Sequence, residues 1–314
     1  MATSPNLSEI VTTTLRNRSR QLSDNVSNHN ALLRRMRENG NQTTVTGRDI
    51  VRELEYAANG TVQFYSGYET LDVSPSDVLT AAVFDYKQLA GNVTISGLEQ
   101  VKNSGTEAII NLLEARVNVL EKSMMNTLST AIYSDGTGSD GKEVGGLQLI
   151  VADSGTGTVG GINSSTYTFW QNVQTTATSS AFSTANVQAD MNNIYLQLVR
   201  GADSPDMVMA GTNAYKAFLG SLQAIQRITS DDLANSGFTS VQYLNSDVVF
   251  DDACNTNRMY FLNTDYLRLE VAAGRDFVPG EARMAVNQDA LTTPMFWSGA
   301  LTCSNRALQG VIHV

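Results

Sequence analysis

The segment from Gly60 to Ser134 constrains the fold more than any other part of the sequence. Two strand-rich segments, Gly60–Leu71 and Val78–Ile95, flank the turn-forming residues Ser74–Asp77, so we predict a long β-hairpin. A capping box at Ser104–Glu107 then opens an apolar stripe with helical spacing that runs to about Ile132. At 1.5 Å per residue this helix would be roughly 45 Å long. Such a hairpin has too little local core, so it needs a second surface, most simply another copy of the chain.

The composition indicates that much of the surface is used for contacts. Of the 314 residues, 42% are hydrophobic and only 17% are charged, against about 25% charged in an average soluble domain. No apolar run approaches the roughly 18 residues that span a bilayer. The first 15 residues also lack the basic-then-apolar pattern of a signal peptide. We therefore expect a soluble protein that is made inside a cell and has no membrane partner.

Cysteine and histidine are too sparse for most catalytic or metal sites. Cys254 and Cys303 lie far apart and match no metal-ligand spacing, so we expect buried free thiols. His29 and His313 are the only histidines, which argues against a histidine-based metal centre and against a Ser–His–Asp triad. We expect no metal and no cofactor.

The net charge of −10 hides an asymmetry between the first 52 residues and the rest. Eight arginines against four carboxylates give this segment +4, which leaves −14 for the remainder. A basic arm on an acidic body indicates contact with neighbouring subunits or with nucleic acid. A solvated helical face is the alternative. The arginines are Arg16, Arg18, Arg20, Arg34, Arg35, Arg37, Arg48 and Arg52.

The remaining pattern predicts an α+β chain in which helices and strands are segregated. Residues 1–40 have few large apolar residues and predict an arm that lies on another surface, with a short helix at Ala31–Arg37. Further helices are predicted at Thr184–Arg200 and Thr212–Ile228, and an apolar strand at Leu147–Val151. Other predicted strands are Asp206–Met209, Val241–Leu244, Val248–Phe250, Met259–Leu262, Leu267–Val271, Met284–Val286 and Ala300–Ser304.

Three motifs suggest chemistry, but none has the required context. The glycines of Gly155–Gly160 match GxGxxG without the following helix or the acidic residue about 20 positions on. The loop from Asp135 has Thr137 and Ser139 where an EF-hand needs Asp or Asn, and Asp140 where it needs Gly, so we expect a flexible loop. The acidic pairs at 231–232 and 251–252 lie among turn-forming residues, so we expect solvated turns. No catalytic group stands out, and we predict that the protein is not an enzyme.

Aromatic residues cluster on the predicted hairpin. They are Phe64, Tyr65, Tyr68, Phe84 and Tyr86. A carbohydrate-binding platform is one interpretation. Large aromatic side chains on an extended element are more typical of protein–protein hot spots, which we favour.

In order and spacing, the chain resembles the major capsid proteins of tailed bacteriophages, which have the HK97-type fold of the Hong Kong 97 phage. The residues that carry this resemblance run over nearly the whole chain. They are Glu9, Thr14–Leu15, Asp24–Asn25, Leu32–Leu33, Tyr65, Gly67, Tyr68, Ala82–Gln88, Ile95–Gly97, Glu99, Tyr133–Gly136, Gly160–Ile162, Ser165–Tyr167, Phe169–Trp170, Tyr260–Thr264, Leu301, Cys303 and Asn305–Arg306.

The resemblance implies a domain organisation for an α+β capsid fold. It comprises an N-terminal arm (1–54), an extended β-hairpin loop (55–97) and a peripheral domain (98–200) with a spine helix at 104–133. An axial domain (201–264) follows, and the strands of 265–314 return through both domains. The resemblance also implies contacts between subunits through the loop residues Phe64, Tyr65, Tyr68, Phe84, Tyr86 and Lys87. The arm residues Arg16, Arg18, Arg20, Arg34, Arg35 and Arg37 would face neighbouring subunits or the interior.

The function implied is a structural one. Copies would assemble as hexamers and pentamers into an icosahedral head around double-stranded DNA, held by loose electrostatic contact. The virion would be the final location, after assembly in the host bacterial cytoplasm. Because the arm starts close to Met1, we expect a separate scaffolding protein, together with a portal protein and a decoration protein as a further candidate. Some relatives crosslink Lys to Asn, which we do not predict for Lys87.

Two alternatives remain at this point. An encapsulin-type bacterial compartment would use the same fold to house an enzyme. A β-rich hydrolase or carbohydrate-binding domain would use the aromatic residues and paired acids, and would be a monomer or small oligomer.

Overall fold

The computed structural model of the chain describes residues 31–102, 112–222, 240–285 and 287–314. Its helices are α1 (Ala31–Glu38), α2 (Gly97–Lys102), α3 (Leu112–Ile132), α4 (Leu147–Ile150), α5 (Val187–Leu198) and α6 (Thr212–Ser221). Its first eight strands are β1 (Gln42–Val45), β2 (Ile50–Glu55), β3 (Leu79–Phe84), β4 (Lys87–Ser96), β5 (Thr158–Val159), β6 (Ile162–Asn163), β7 (Val173–Thr176) and β8 (Met207–Ala210). The others are β9 (Ser240–Tyr243), β10 (Ser246–Phe250), β11 (Arg258–Leu262), β12 (Leu267–Ala272), β13 (Val278–Pro279), β14 (Arg283–Met284), β15 (Ala290–Cys303) and β16 (Gly310–His313).

The strands form two six-stranded sheets with different construction. In the first sheet, β15 pairs with β12, β13 and β14 along one side and with β4 along the other. The β4–β15 ladder is antiparallel and continues for ten residue pairs, from Lys87 opposite Gly299 to Ser96 opposite Ala290. β1 adds to β12 in parallel. The second sheet has the order β7-β16-β11-β8-β10-β9 and mixes parallel and antiparallel pairs.

Strand β8 shows how the two cores of the molecule are divided. Successive side chains of a strand point to opposite faces, and the four residues of β8 are all fully buried. Met207 and Met209 pack into the larger core, which also takes in α1, α3 and the first sheet. Val208 and Ala210 pack into the second core, beneath α5 and α6. The second sheet is therefore covered on both faces.

The hairpin is built from different residues than the sequence predicted. Its strands are β2 and β3, paired antiparallel over six residues from Ile50–Phe84 to Glu55–Leu79. The prediction of a strand over Gly60–Leu71 is wrong, because β3 already has its partner in β2. The second predicted strand of the hairpin, Val78–Ile95, forms two separate strands, β3 and β4. Strand β4 pairs with β15 instead of continuing the hairpin. Strand β2 lies at the end of the segment predicted as the N-terminal arm. The predicted domain boundaries stay predictions.

The long helix ends where the apolar spacing predicts. Helix α3 ends at Ile132, and its described 21 residues extend about 31 Å. The predicted start at Ser104–Glu107 lies outside the described residues. The helix packs closely on β4, where a Cβ placed on Gly91 would lie 2.4 Å from the Leu120 side chain. A larger residue at position 91 would therefore require the Leu120 side chain to shift.

Most of the other predicted elements are confirmed. Helices α1 and α5 and the start of α6 lie where expected, as do β8 to β12. β14 includes only Met284 of the strand predicted at Met284–Val286, and Val286 and residues 223–228 of the third predicted helix lie outside the described residues. The predicted strand at Leu147–Val151 is wrong, because Leu147–Ile150 is a short helix that follows Gly145–Gly146. A short apolar run does not distinguish a buried strand from a buried helical turn. Both cysteines are free and buried, as predicted.

A fully buried arginine, Arg306, lies in the connection between β15 of the first sheet and β16 of the second. The Arg306 guanidinium donates to the carbonyl oxygens of Ile150 (2.6 Å) and Trp170 (3.0 Å), and to the side chains of Asn172 (3.0 Å) and Ser164 (3.3 Å). Burial lowers its pKa to about 10. Its hydrogen bonds fasten the chain between β15 and β16 to α4 and to the loop before β7.

Candidate assembly surface

The extended loop, defined here as residues 53–85, begins from a hairpin root that is fastened to the body. Leu54 and Ala82 are buried against Trp170 in a small separate cluster. The backbone N–H of Tyr56 donates to the carbonyl oxygen of Val78 at 3.0 Å, which adds one rung beyond the strand ends. The ordered hairpin therefore ends at these two residues.

A small β-turn clamps the root from the side. β5 and β6 are joined by Gly160 and Gly161, whose φ angles of 58° and 78° suit a two-residue turn. The Gly160 carbonyl oxygen accepts a 3.0 Å hydrogen bond from the Val83 N–H. A Cβ on Gly160 would lie 2.6 Å from the Cβ of Ala82, so only glycine allows this approach. Of the three GxGxxG glycines, only Gly160 belongs to this turn, and it is followed by strand β6 instead of a helix.

A buried ion pair ties the root to the first sheet. Arg52 of β2 pairs with the buried carboxylate of Glu270 on β12, and its Nε donates to the Thr302 hydroxyl at 3.3 Å. Burial lowers the pKa of Arg52, and the neighbouring charge of Arg268 lowers it further. Removing either the Glu270 carboxylate or the Arg52 guanidinium would therefore leave the other group without its ion-pair partner.

Beyond the root, residues 57–77 contain no strand or helix. Their hydrogen bonds are local, such as Glu69 N–H to Ser66 O (2.9 Å) and Ser74 N–H to the Asp72 carboxylate (2.9 Å). The hydrogen bonds from Ser74 lower the pKa of Asp72. The loop has turns of its own, and it has no core.

The extended loop exposes an unusual amount of apolar surface. Phe64 and Tyr68 are each 106% exposed. Among the described residues, nine of the nineteen exposed large apolar side chains belong to positions 51–83: Val51, Val62, Phe64, Tyr65, Tyr68, Leu71, Val73, Leu79 and Val83. Exposed apolar side chains concentrated in one segment in this way indicate a contact site.

The same segment carries a single sign of charge. Its carboxylates are Glu53, Glu55, Glu69, Asp72, Asp77 and Asp85, and no lysine or arginine occurs between positions 53 and 86. A surface that combines exposed aromatic rings with six carboxylates suits a partner that offers apolar grooves and basic side chains.

The structure divides the predicted loop residues into two groups. Phe64, Tyr65 and Tyr68 are exposed, whereas Phe84 is half-buried against both the large core and the Trp170 cluster. Tyr86 and Lys87 are half-buried, and the Lys87 ammonium donates to the Gly141 carbonyl oxygen at 2.7 Å. Their role in contacts between subunits stays a prediction.

The described arginines of the arm contact their own chain. Arg34 pairs with Glu38 at 2.8 Å, while Arg35 and Arg37 lie 3.9 Å from the carboxylates of Asp247 and Asp276. Arg16, Arg18 and Arg20 lie outside the described residues. Helix α1 also buries Leu32, Leu33 and Met36 in the large core, so the surface on which this part of the arm lies is its own body.

The prediction that Asp251 lies in a solvated turn is wrong, because its side chain is buried. The neighbouring Asp252 is exposed, as predicted. The Asp251 side chain is fully buried and accepts hydrogen bonds from the Tyr133 hydroxyl (2.9 Å) and the Leu32 N–H (3.3 Å). Burial raises its pKa, although these hydrogen bonds act in the opposite direction. The carboxylate caps the first turn of α1. Asp231 and Asp232 lie outside the described residues.

The loop after Asp135 satisfies its carboxylate internally. The Asp135 side chain accepts from the N–H and the hydroxyl of Thr137, at 3.0 and 2.7 Å. Across the described ranges, no group of three or more His, Cys, Asp or Glu side chains is arranged to hold a metal ion. Within the same ranges, no helix combines the length and apolar character that a membrane span requires.

Comparisons with known proteins address the fold. No protein-family model matches the sequence, and no curated protein matches it. Among solved structures, the chain is similar to a chain of the capsid asymmetric unit of cyanophage A-1(L), with 15% identity, a TM-score of 0.74 and coverage of 95% of this chain and 96% of that one. It is also similar to the capsid of the Myoviridae phage XM1 (10% identity, TM-score 0.60, coverage 94% and 95%).

The same fold occurs in a bacterial compartment. The SrpI encapsulin of Synechococcus elongatus matches with 8% identity and a TM-score of 0.60, over 93% of this chain and 91% of that one. These similarities extend over nearly the whole length of each protein. The chain therefore has the HK97-type capsid fold, as the sequence predicted, and its structural neighbours are shell proteins.

Proposed function

We propose that this protein is the structural shell protein of a tailed-bacteriophage head, with the HK97-type fold as the premise. Copies assemble as hexamers and pentamers into an icosahedral shell around double-stranded DNA. The observation that carries the proposal is the extended loop, which exposes large apolar side chains at eight positions on a root that is itself firmly fastened. The role is structural, and no catalytic group is invoked.

The energetics favour an obligate assembly. Interfaces of obligate complexes usually bury 2,000 Å² or more in total. If half of that area is apolar, burial at about 25 cal/mol per Å² supplies roughly 25 kcal/mol before association costs. An interface of this size would cover the apolar side chains of the loop and would let a shell resist the pressure of packaged DNA.

Other components follow from this role. We propose a separate scaffolding protein and a portal protein as partners during assembly in the host bacterial cytoplasm, with a decoration protein as a further candidate. The net charge of −10 supports loose contact with the packaged DNA, because an acidic chain does not bind phosphates tightly.

A loop replacement tests the proposal directly. Because the Tyr56 N–H bonds to the Val78 carbonyl, residues 57–77 can be replaced by Asn-Gly, which closes a two-residue hairpin. We expect this variant to unfold at the same temperature as the wild type within a few degrees, because the removed residues have no core. Negative-stain microscopy and size-exclusion chromatography should show shells or capsomers for the wild type and monomers for the variant.

The matched control keeps the loop length and changes only charge-neutral polar residues, for example Gln63→Asn and Thr70→Ser. This control should assemble like the wild type. A wild-type chain that stays a monomer of about 34 kDa, with and without co-expressed scaffolding protein, would contradict the proposal. A loop-replaced variant that builds shells of normal heat resistance would contradict the role of the loop.

The encapsulin alternative is supported by the similarity to SrpI. Both functions predict shells, so the contents distinguish them. A phage head should protect double-stranded DNA from nuclease when terminase and portal are supplied. An encapsulin should instead purify with a cargo enzyme and without DNA.

A further inference from the structure

Two asparagines of the chain are followed directly by glycine, at Asn39–Gly40 and at Asn59–Gly60. In such a pair the asparagine side chain is open to attack by the next backbone nitrogen, because glycine has no Cβ to shield that nitrogen. Both asparagines are exposed to solvent. The structure surrounds the two pairs differently, and this difference predicts which of them reacts.

Asn39 lies directly after helix α1, where hydrogen bonds fix the backbone. Its N–H donates to the Arg35 carbonyl oxygen at 2.9 Å, and the Gly40 N–H donates to the Arg37 carbonyl oxygen at 3.2 Å. The nitrogen that would attack the Asn39 side chain is therefore already engaged as a donor at the end of the helix.

Asn59 lies in the extended loop, beyond the last hydrogen bond of the hairpin at Tyr56. Within the described ranges, the Gly60 N–H has no hydrogen-bond acceptor. A Cβ placed on Gly60 would have no atom within 4 Å, so the space around this nitrogen is open. The Asn59 carbonyl oxygen accepts only a long hydrogen bond, from the Val62 N–H at 3.5 Å. The backbone nitrogen next to Asn59 is thus available as a nucleophile.

Thr61 donates two hydrogen bonds to the Asn59 side chain. Its N–H lies 3.0 Å and its hydroxyl 2.8 Å from the Asn59 Oδ1 atom. Attack on Asn59 Cγ would turn this amide oxygen into an oxyanion. Two donors aimed at an oxygen that becomes negative stabilise the transition state in the way of an oxyanion hole.

We propose that Asn59 is a site of spontaneous deamidation. The Gly60 nitrogen loses its proton to solvent hydroxide and forms a bond to Asn59 Cγ, and the bond from Cγ to Nδ2 breaks with ammonia as the leaving group. Water then opens the cyclic imide at either of its carbonyl groups, which gives aspartate or isoaspartate. The reaction consumes one water and releases one ammonia, and it needs no oxidant or reductant.

Both products change the root side of the extended loop. Each adds a carboxylate to a segment that already has six carboxylates and no basic residue. Isoaspartate also carries the main chain through Cγ, which lengthens the backbone at this point by one methylene group. Subunits therefore become different in charge and in loop geometry as they age.

Peptide mapping of the full-length protein during incubation at about pH 6 and about pH 8 tests the site. The peptide that contains Asn59 should gain the mass of an amide-to-acid conversion and become a substrate for an isoaspartyl methyltransferase. The conversion should be faster at the higher pH, because the Gly60 nitrogen must lose a proton.

Asn39 is the control within the same molecule. In the folded protein it should convert at least about tenfold more slowly than Asn59, because a nucleophile held in an unsuitable geometry loses reactivity. In concentrated urea the two asparagines should convert at similar rates, since the surrounding structure is then lost. Equal rates in the folded protein, or a faster conversion of Asn39, would overturn the proposal.

Thr61→Val tests the role of the hydroxyl donor. The substitution should slow the conversion of Asn59 by about two- to tenfold, the range expected for one hydrogen bond. Thr70→Val is the matched control, because Thr70 is another exposed threonine of the extended loop, and it should leave the rate unchanged. A conversion that is unchanged or faster in Thr61→Val would overturn the role given to Thr61.

The effect on assembly rests on the proposed shell function. Aged wild-type subunits, separated by anion exchange, should need an about two- to fivefold higher concentration for half-maximal assembly than fresh ones, the range of one exposed charge. Aged Asn59→Gln subunits should assemble like fresh Asn59→Gln subunits. Deamidated subunits that assemble normally would overturn this effect but not the reaction, whereas a fresh chain that never assembles would overturn the shell function alone.

Discussion

The extended loop and the junction around Arg306 are opposites in composition and surroundings. The loop places aromatic rings in solvent, with Phe64 and Tyr68 fully exposed. The junction places a charged guanidinium in the interior, where four groups of its own chain accept its hydrogen bonds. Exposed aromatic rings are unfavourable unless another surface covers them, and a buried guanidinium is unfavourable unless acceptors bind its N–H groups.

The difference lies in where the partner is. The junction is complete within one chain, because each of the three guanidinium nitrogens of Arg306 donates to an acceptor on the same molecule. The loop is incomplete, because none of the described residues of the chain covers its apolar surface. Changes at the junction should therefore alter the stability of the subunit, whereas changes in the loop should alter assembly.

Arg306→Met should have the largest effect on the subunit. The substitution leaves the buried carbonyl groups of Ile150 and Trp170 without donors, and each such loss costs about 1–3 kcal/mol. We expect the free energy of unfolding to fall by roughly 3 kcal/mol in urea titrations. The exposed Arg268 offers a matched control, and Arg268→Met should change the same quantity by less than about 0.5 kcal/mol. Equal effects of the two substitutions would contradict the role given to Arg306.

Phe64→Ser should produce the opposite pattern. Phe64 is fully exposed among the described residues, so the free energy of unfolding should change by less than about 0.5 kcal/mol. Loss of an interface anchor should raise the subunit concentration needed for assembly by at least about tenfold. Phe84→Ser serves as the comparison, because Phe84 packs on the core and its loss should destabilise the subunit. A destabilised Phe64→Ser subunit would mean that the loop has a core of its own.

Asp251→Asn should have the smallest effect, and its sign depends on pH. Burial raises the pKa of Asp251 in the folded state, so the folded protein binds this proton more tightly than the unfolded chain. The contribution of Asp251 to stability is then greatest below the unfolded pKa and falls as pH rises through the folded pKa. The asparagine variant does not titrate there, so its melting temperature relative to wild type should be higher at pH 7.5 than at pH 4.5. A difference that is independent of pH, or of opposite sign, would contradict a raised pKa.

The sequence predicted the elements whose periodicity is local. Helix α3 ends at Ile132 because residues three and four apart share one face, and this pattern is visible without any tertiary information. The fold class followed from the order of short motifs along the chain. The exposed aromatic residues Phe64, Tyr65 and Tyr68 were also identified, because large rings in a loop-rich segment are informative by themselves.

The errors share a physical cause, which is dependence on distant residues. Residues 60–71 have strand-like composition, but β3 pairs with β2, and no second strand partner is within reach. Asp251 looked like a solvated turn because its hydrogen-bond donor Leu32 lies 219 positions away. The buried role of Arg306 was not predicted, and the sequence analysis named this residue only within a motif. Its hydrogen-bond acceptors are spread from Ile150 to Asn172, and nothing in the sequence near Arg306 indicates them.

The root of the extended loop has a mechanical consequence. Strand β4 is fixed along ten residues of β15, whereas β2 and β3 pair only with each other, and Asp85 and Tyr86 connect the two parts outside any strand. The hairpin is therefore connected to β4 by only two residues outside any strand. Its angle to the body is held by the ion pair of Arg52 with Glu270 and by the hydrogen bond to the Gly160 carbonyl oxygen. A change of angle would strain these few fastenings and leave the ten-residue ladder, and with it the body of the subunit, unchanged.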